Sequence, residues 1–229
     1  TRDVNVVQGS RGFVYELDIM KQDESRSLFY HSAGIKPDEV SSFSPNLHEM
    51  VEELLKQCRG LPLALSLVGS NLNRTRSEQA WKDILDGFTI HLEELRSMFP
   101  TNGYPYDNVI KAINVSFEHL AECEQEKFLD FGIFPEDTSI PSDILELFWS
   151  SEGAGRSSCS PRQARRILDA LERKSMIQKE TEVQEKTSYR VHDLLLDFAQ
   201  KKLKAMGTLT DVQRLFVKTL RGQCLNGEW

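Results

Sequence analysis

Long apolar runs are missing from this sequence. No stretch of about 18 consecutive apolar residues occurs, the length that a helix needs to cross a bilayer. The N-terminus has no basic segment followed by an apolar one, so neither a membrane span nor a secretory signal is expected, and the location to expect is cytoplasmic. Cysteine is scarce: Cys58, Cys123, Cys159 and Cys224 are the four in 229 residues. They make no C-x-x-C pair and have no histidine at zinc-site spacing, which leaves them as reduced, incidental thiols. Positive charge is in deficit, with 28 Lys and Arg against 35 Asp and Glu for a net −7. Indiscriminate binding to nucleic acid or anionic membrane needs the opposite balance, so only a local basic patch stays open. No nucleophile beside a base, no metal-ligand cluster and no paired carboxylates stand out, and the chain is not expected to be an enzyme by itself.

What is present suits a folded, mainly α protein. A hydrophobic share of 39% is enough to build a core. Phe13 to Ile19 alternate as a strand does, and from about Asp23 apolar positions fall at helical spacing through Leu28 and Phe29 to a stop at Gly34. This segment, 1–34, reads as the edge of an α/β domain. From 35 to 120 the pattern is a bundle of short-linked amphipathic helices. Ser44 caps one, with Pro45 in its first turn and Gly60 at its end. Pro62 starts the next, which runs to about Leu72, and Ser77 begins a third with Trp81, Ile84, Leu85 and Phe88 inward. After a loop marked by Gly103 and Pro105, a fourth carries Val109, Ile110, Ile113 and Phe117 on its apolar side.

The pattern changes from 121 to 204. A helix over Glu122 to Phe134 leads to a turn. Pro141 then starts a helix with Ile144, Leu147 and Phe148 inside, and Pro161 another with Ile167, Leu168 and Leu171 inside. Met176 to Glu182 and Thr187 to His192 form a hairpin, followed by a helix from Asp193 to Leu203. Helix, helix, hairpin is the order of a winged helix. From 205 to 229 a further helical domain begins, near Asp211 to Leu220, with its packing partners expected beyond the chain. The chain opens on Thr1 without a methionine and closes at Trp229, and reads as part of a larger protein.

Several of these segments resemble the NB-ARC family, the nucleotide switch of the STAND class shared by plant disease-resistance proteins and animal apoptotic-protease-activating factors. Cys58-Arg59-Gly60-Leu61-Pro62-Leu63-Ala64-Leu65 matches its GLPLA motif in full. Val109 to Leu120 is similar to a helix of its ARC region, and Phe131 to Asp137 with the helix through Trp149 to its entry into the winged helix. Val191-His192-Asp193 resembles its MHD motif with Val for Met. Leu215 to Trp229 is similar to the helical domain before WD-repeat propellers, which leans toward the apoptotic-factor branch.

The resemblance implies a nucleotide site to which Gly60, Leu61 and Pro62 bring the adenine side, and His192 a donor to the β-phosphate of ADP. By register, Arg2 would be the phosphate-sensing arginine. The pattern G-x-x-x-x-G-K-[ST] does not occur in these residues, so the phosphate-binding loop and Mg²⁺ are expected from an upstream P-loop domain. A downstream repeat sensor, WD-repeat or leucine-rich, and self-assembly on activation are the other partners implied. The residues alone leave plainer readings open. Pro62 suits any helix start, and His192 could be a hydrogen-bonded turn residue with Asp193 as the N-cap. The helix from Pro161 carries Arg162, Arg165, Arg166, Arg173 and Lys174. It is either a solvated face or, in the alternative reading of a DNA-binding regulator, the recognition helix; nucleic acid is the less expected partner.

Overall fold

A computed structural model of the chain describes residues 18–73, 77–88, 95, 97–99, 106–153, 155–181 and 187–226. Helices dominate. In order they are α1 (Gln22–Ser32), α2 (Pro37–Val40), α3 (Pro45–Cys58), α4 (Pro62–Asn71), α5 (Glu78–Gly87), α6 (Tyr106–Glu118) and α7 (Glu122–Leu129). A 3₁₀ turn (Asp130–Ile133) leads to β1 (Ile140–Pro141), α8 (Ser142–Ser150), α9 (Pro161–Arg173), β2 (Gln178–Thr181), β3 (Thr187–Arg190), α10 (Asp193–Ala205) and α11 (Leu209–Asn226). The expected strand over Phe13 to Ile19 lies largely outside the described residues, and the loop at Gly103 and Pro105 wholly so.

Starts and stops follow the sequence signals. The Ser44 hydroxyl accepts the Leu47 N–H at 3.2 Å with Pro45 at the first helical position of α3. Ser160 and Gln163 form a capping box at α9, which also begins on a proline. Ser77 is the N-cap residue of α5, and Gly34 takes the left-handed backbone, φ 61°, just after α1.

Two hydrophobic clusters fill the interior. One collects Phe29 and Ala33 of α1, Leu47, Val51 and Leu54 of α3, Ala64, Leu65 and Val68 of α4, and Trp81 and Ile84 of α5. The other holds α7 to α11, with Phe128, Phe131, Trp149, Leu168, Phe198 and Val212 at its centre. α4 and α6 serve both. Leu67 faces the second cluster while its neighbours face the first, and α6 sends Ile110, Ile113 and Phe117 one way, Ala112 and Val115 the other. Helix α1 lies against α4 so closely that a Cβ at Gly69 would stand 2.8 Å from the Phe29 carbonyl oxygen and the Ser32 Cβ.

The second region is a winged helix. Its antiparallel sheet has the order β1-β3-β2, with Ile140 opposite Tyr189 and Gln178 opposite Arg190. The sequence pattern misses β1, and that strand moves the start of the next helix. Pro141 is occupied in the sheet and α8 begins at Ser142. The buried stripe is then Leu145, Phe148 and Trp149, while Ile144 and Leu147 are half-buried, correcting the expected Ile144, Leu147 and Phe148.

The last helix also differs from expectation, because its inner face is already packed. Val212 and Leu215 are buried in the winged-helix cluster. The Phe216 ring stands edge-on between Phe134 and Phe148, 5.1 Å from each, and the Thr219 hydroxyl donates to Ser151 Oγ at 2.9 Å.

Charge is buried beneath this region. Asp130 and Arg156 pair at 2.9 Å with side chains 2% and 9% exposed. Lys127, also buried, donates to Glu126 Oε1 and the Ser157 carbonyl, both at 2.6 Å. Burial pushes the Asp130 carboxyl up to about 7, against the opposing pull of Arg156 and then Lys127. Removing one partner strands the others, so Arg156→Met is expected to cost about 3–5 kcal/mol in urea unfolding. Phe216→Ala should cost about 2 kcal/mol in the same measurement. A loss below about 0.5 kcal/mol for Phe216→Ala would mean that α11 is not seated on the winged helix in solution.

Candidate functional site

The α3–α4 junction must reverse the chain within three residues, and its geometry follows from that. Cys58 is buried at the end of α3 and Pro62 opens α4. Between them Arg59 and Gly60 both take the left-handed backbone, at φ 49° and 67°. Gly60 is required by space as well as by φ, since a Cβ there would lie 2.6 Å from the Met20 carbonyl oxygen. Its own carbonyl accepts the Met20 N–H at 3.0 Å. Leu61 is the N-cap residue of α4 without a side-chain cap, and its half-buried side chain touches both hydrophobic clusters. Pro62 is exposed, its ring presented at the start of α4.

His192 is placed by a different junction. Val191 ends the sheet region buried in the core, and α10 begins at Asp193. His192 is the N-cap. Its Nδ1 accepts the Leu194 N–H at 3.2 Å, and its carbonyl accepts from Leu195 and Leu196 at 2.8 and 3.0 Å. This corrects the plainer reading in which Asp193 caps; Asp193 sits one residue inside, where its charge still favours the helix dipole. An Nδ1 that accepts leaves Nε2 as the protonated nitrogen of the neutral ring. The histidine is exposed, so the start of α10 presents an imidazole of fixed tautomer.

Gly60, Leu61 and Pro62 thus stand at one helix start and His192 at another. Leu61, Leu63 and Leu194 all pack against the large hydrophobic cluster that contains Val191. Arg2 lies outside the described residues. On α9, two of the five cations are engaged within the fold. Arg165 donates to both oxygens of Glu146 at 2.8 and 3.0 Å, and Lys174 donates to the His119 carbonyl at 2.7 Å and Glu124 at 3.3 Å. Arg162 and Arg166 are exposed. Sequence reasoning missed the Glu126, Lys127, Asp130 and Arg156 set. The available signal was Lys127 on the inward face of α7, beside Phe128. Among the described residues no group of His, Cys, Asp or Glu is arranged to hold a metal ion, and no helix is long and apolar enough to cross a membrane.

Residues 133–199, from the 3₁₀ turn through most of α10, match the winged helix domain of disease resistance proteins. The match supports the resemblance to the NB-ARC family. Similar proteins extend the likeness beyond these residues. A probable disease resistance protein of Arabidopsis thaliana is 31% identical over 137 residues, 60% of this chain and 15% of the relative. The putative disease resistance protein RGA1 of Solanum bulbocastanum is 26% identical over 205 residues, 88% of this chain and 20% of its own length. The disease resistance protein ADR1 of Arabidopsis thaliana is 30% identical over 135 residues, 59% and 16%. The chain spans less than a quarter of the length of each. The lean toward the apoptotic-factor branch finds no support among these relatives, which are named as disease resistance proteins.

If the imidazole caps α10, His192→Ala should lower stability by about 1 kcal/mol in urea unfolding, and His192→Asn, which keeps an acceptor at the same place, should retain most of it. Equal losses for both would contradict the capping role.

Proposed function

We propose that this chain is the switching part of a defence-signalling protein, in which ADP held between an upstream P-loop domain and these residues keeps the resting state closed. Support for defence comes from relatives named as disease resistance proteins. Support for the nucleotide comes from how the residues fit it. An exposed proline ring at the start of α4 offers the apolar edge that a purine base packs against. An imidazole whose Nδ1 accepts from the Leu194 N–H carries its proton on Nε2, at the start of α10, a helix end where anions are favoured. The His192 cap is the observation that carries the reading, because it fixes which nitrogen can donate.

In this reading the bound nucleotide supplies two ends for two elements, base to the α3–α4 junction and phosphate to the α10 start. Exchange of ADP for ATP shifts the balance only if the two differ in affinity for the closed and open forms, and a shift from 1:99 to 99:1 needs about 10⁴-fold. Hydrolysis, Mg²⁺ and the phosphate loop belong to the upstream domain, the trigger to a downstream repeat sensor, and assembly with further copies follows opening in the cytoplasm. A DNA-binding role for α9 is the weaker reading, since Arg165 and Lys174 of the would-be recognition helix are spent on Glu146, Glu124 and a carbonyl.

The test is calorimetry of ADP and ATP on the intact protein and on its His192→Ala and His192→Asn variants. ADP should bind more tightly than ATP to the resting protein, and His192→Ala should weaken ADP at least tenfold. An intact, folded protein that binds no ADP would end the proposal, as would a His192→Ala variant with unchanged affinity.

A further inference from the structure

The segment that leads into α9 runs back along α7 and is bonded to it step by step. Arg156 pairs with Asp130, just past the end of α7, and its Nη1 donates to the Glu126 carbonyl at 3.0 Å. One residue on, the Ser157 N–H donates to the Glu126 carboxylate at 3.1 Å, and the Ser157 carbonyl accepts from Lys127 at 2.6 Å. After α9, Lys174 donates to Glu124 and to the His119 carbonyl, at and before the start of α7. As the chain advances from Arg156, its contacts therefore move toward the beginning of α7. The next pair in this register is Cys159 with Cys123. Cys159 stands two residues past Ser157, about 6–7 Å of extended chain, and its N–H is held by the Trp149 carbonyl at 2.7 Å. Cys123 lies about 5 Å, one helical turn, behind Glu126 and Lys127 on the same face of α7. The electrostatics agree with this register. Burial raises the Cys159 thiol, Lys127 pulls it down, and Glu126, Cys123 and Asp130 raise it further, so Cys123 is near enough to act on it.

Both are free thiols, Cys123 exposed and Cys159 buried. We propose that Cys123 and Cys159 form a redox-sensitive pair, which closes a disulfide between α7 and the segment before α9 when a small-molecule disulfide is in excess. The exposed Cys123 thiolate attacks the small disulfide. One half leaves as a thiolate and the other stays on Cys123 as a mixed disulfide. The Cys159 thiolate then attacks the Cys123 sulfur and releases the second half, so two protein thiols give up two protons and two electrons and one small disulfide becomes two thiols. The Lys127 ammonium beside Cys159 favours the thiolate that this second step needs. In a reducing compartment the pair stays open, which makes it responsive rather than structural. Once closed, the bridge staples the segment to α7 beside the buried Asp130–Arg156 pair and the Lys127 contact, and holds the first half of the winged helix in one arrangement. The proposal is independent of nucleotide binding.

The test treats the native intact protein with oxidised glutathione, blocks the remaining thiols by alkylation and maps the peptides by mass spectrometry. A peptide linking Cys123 to Cys159 should appear, and should revert on addition of dithiothreitol. Cys58, whose buried thiol is pushed up to about 12, should stay unlinked. Amide hydrogen exchange over α7 and residues 156–160 should slow about tenfold in the oxidised form, because the bridge suppresses local opening. Cys123→Ser changes an exposed residue, so it should leave the fold intact and abolish both the link and the slowing. Glutathione retained on Cys123 with no link to Cys159 would overturn the proposal, as would a link from Cys123 to Cys58 or Cys224 instead. A Cys123–Cys159 link that speeds exchange over α7 would show that the bridge forms only by distorting the fold, and would equally overturn a pair already in register.

Discussion

Helix α4 is the constraint on which the arrangement depends. Its sequence, Pro-Leu-Ala-Leu-Ser-Leu-Val-Gly-Ser-Asn, is apolar on nearly every side, and such a helix must be covered all round. Ala64, Leu65 and Val68 are covered by α1 and α3, Leu67 by the winged-helix cluster, and Gly69 lets α1 come into backbone contact. Polar bonds complete the cover: Asn71 donates to Ser116 of α6 at 2.8 Å, and Ser70 to Ser175 at the end of α9. Because α4 starts at Pro62, the same burial that holds the helix also fixes the exposed proline and the strained turn before it.

Much of this was legible from residue order. Ser44-Pro45, Ser160-Pro161 and the stripes of α3, α6 and α9 mark their helices because caps and periodicity act locally. The winged helix was legible as a succession of elements. What escaped was decided by partners distant in sequence. β1 is two residues long and exists because Ile140 and Pro141 meet Ser188 and Tyr189; nothing within residues 135–145 announces it. The inner face of α11 was assigned to partners beyond the chain because its cover, Phe134 and Phe148, lies some 70 to 80 residues earlier.

The candidate site divides the same way. Gly60 and Pro62 could be named from a motif, and the space around Gly60 gives that motif a steric reason. His192 could be named too, but not its cap: choosing between His192 and Asp193 takes the position of the Leu194 N–H. The buried charges were the least legible. Lys127 looks like a surface residue until Ser157, thirty positions away, offers its carbonyl. Arg59 was read only as a letter in the motif, since strain is a property of φ and not of spacing.

Seating α11 on the winged helix has a mechanical consequence. Its 18 residues make a rod of about 27 Å at 1.5 Å per residue, pinned near its middle by Phe216 and by the Thr219 bond to Ser151. From that pin the far end lies about 13 Å away and moves by about 0.2 Å for each degree that the helix turns. A rotation of ten degrees, small enough to leave every helix intact, would carry the end of α11 about 2 Å. The winged helix therefore acts as a pivot with a pointer attached, and a rearrangement too small to break a single element is enlarged where the pointer ends.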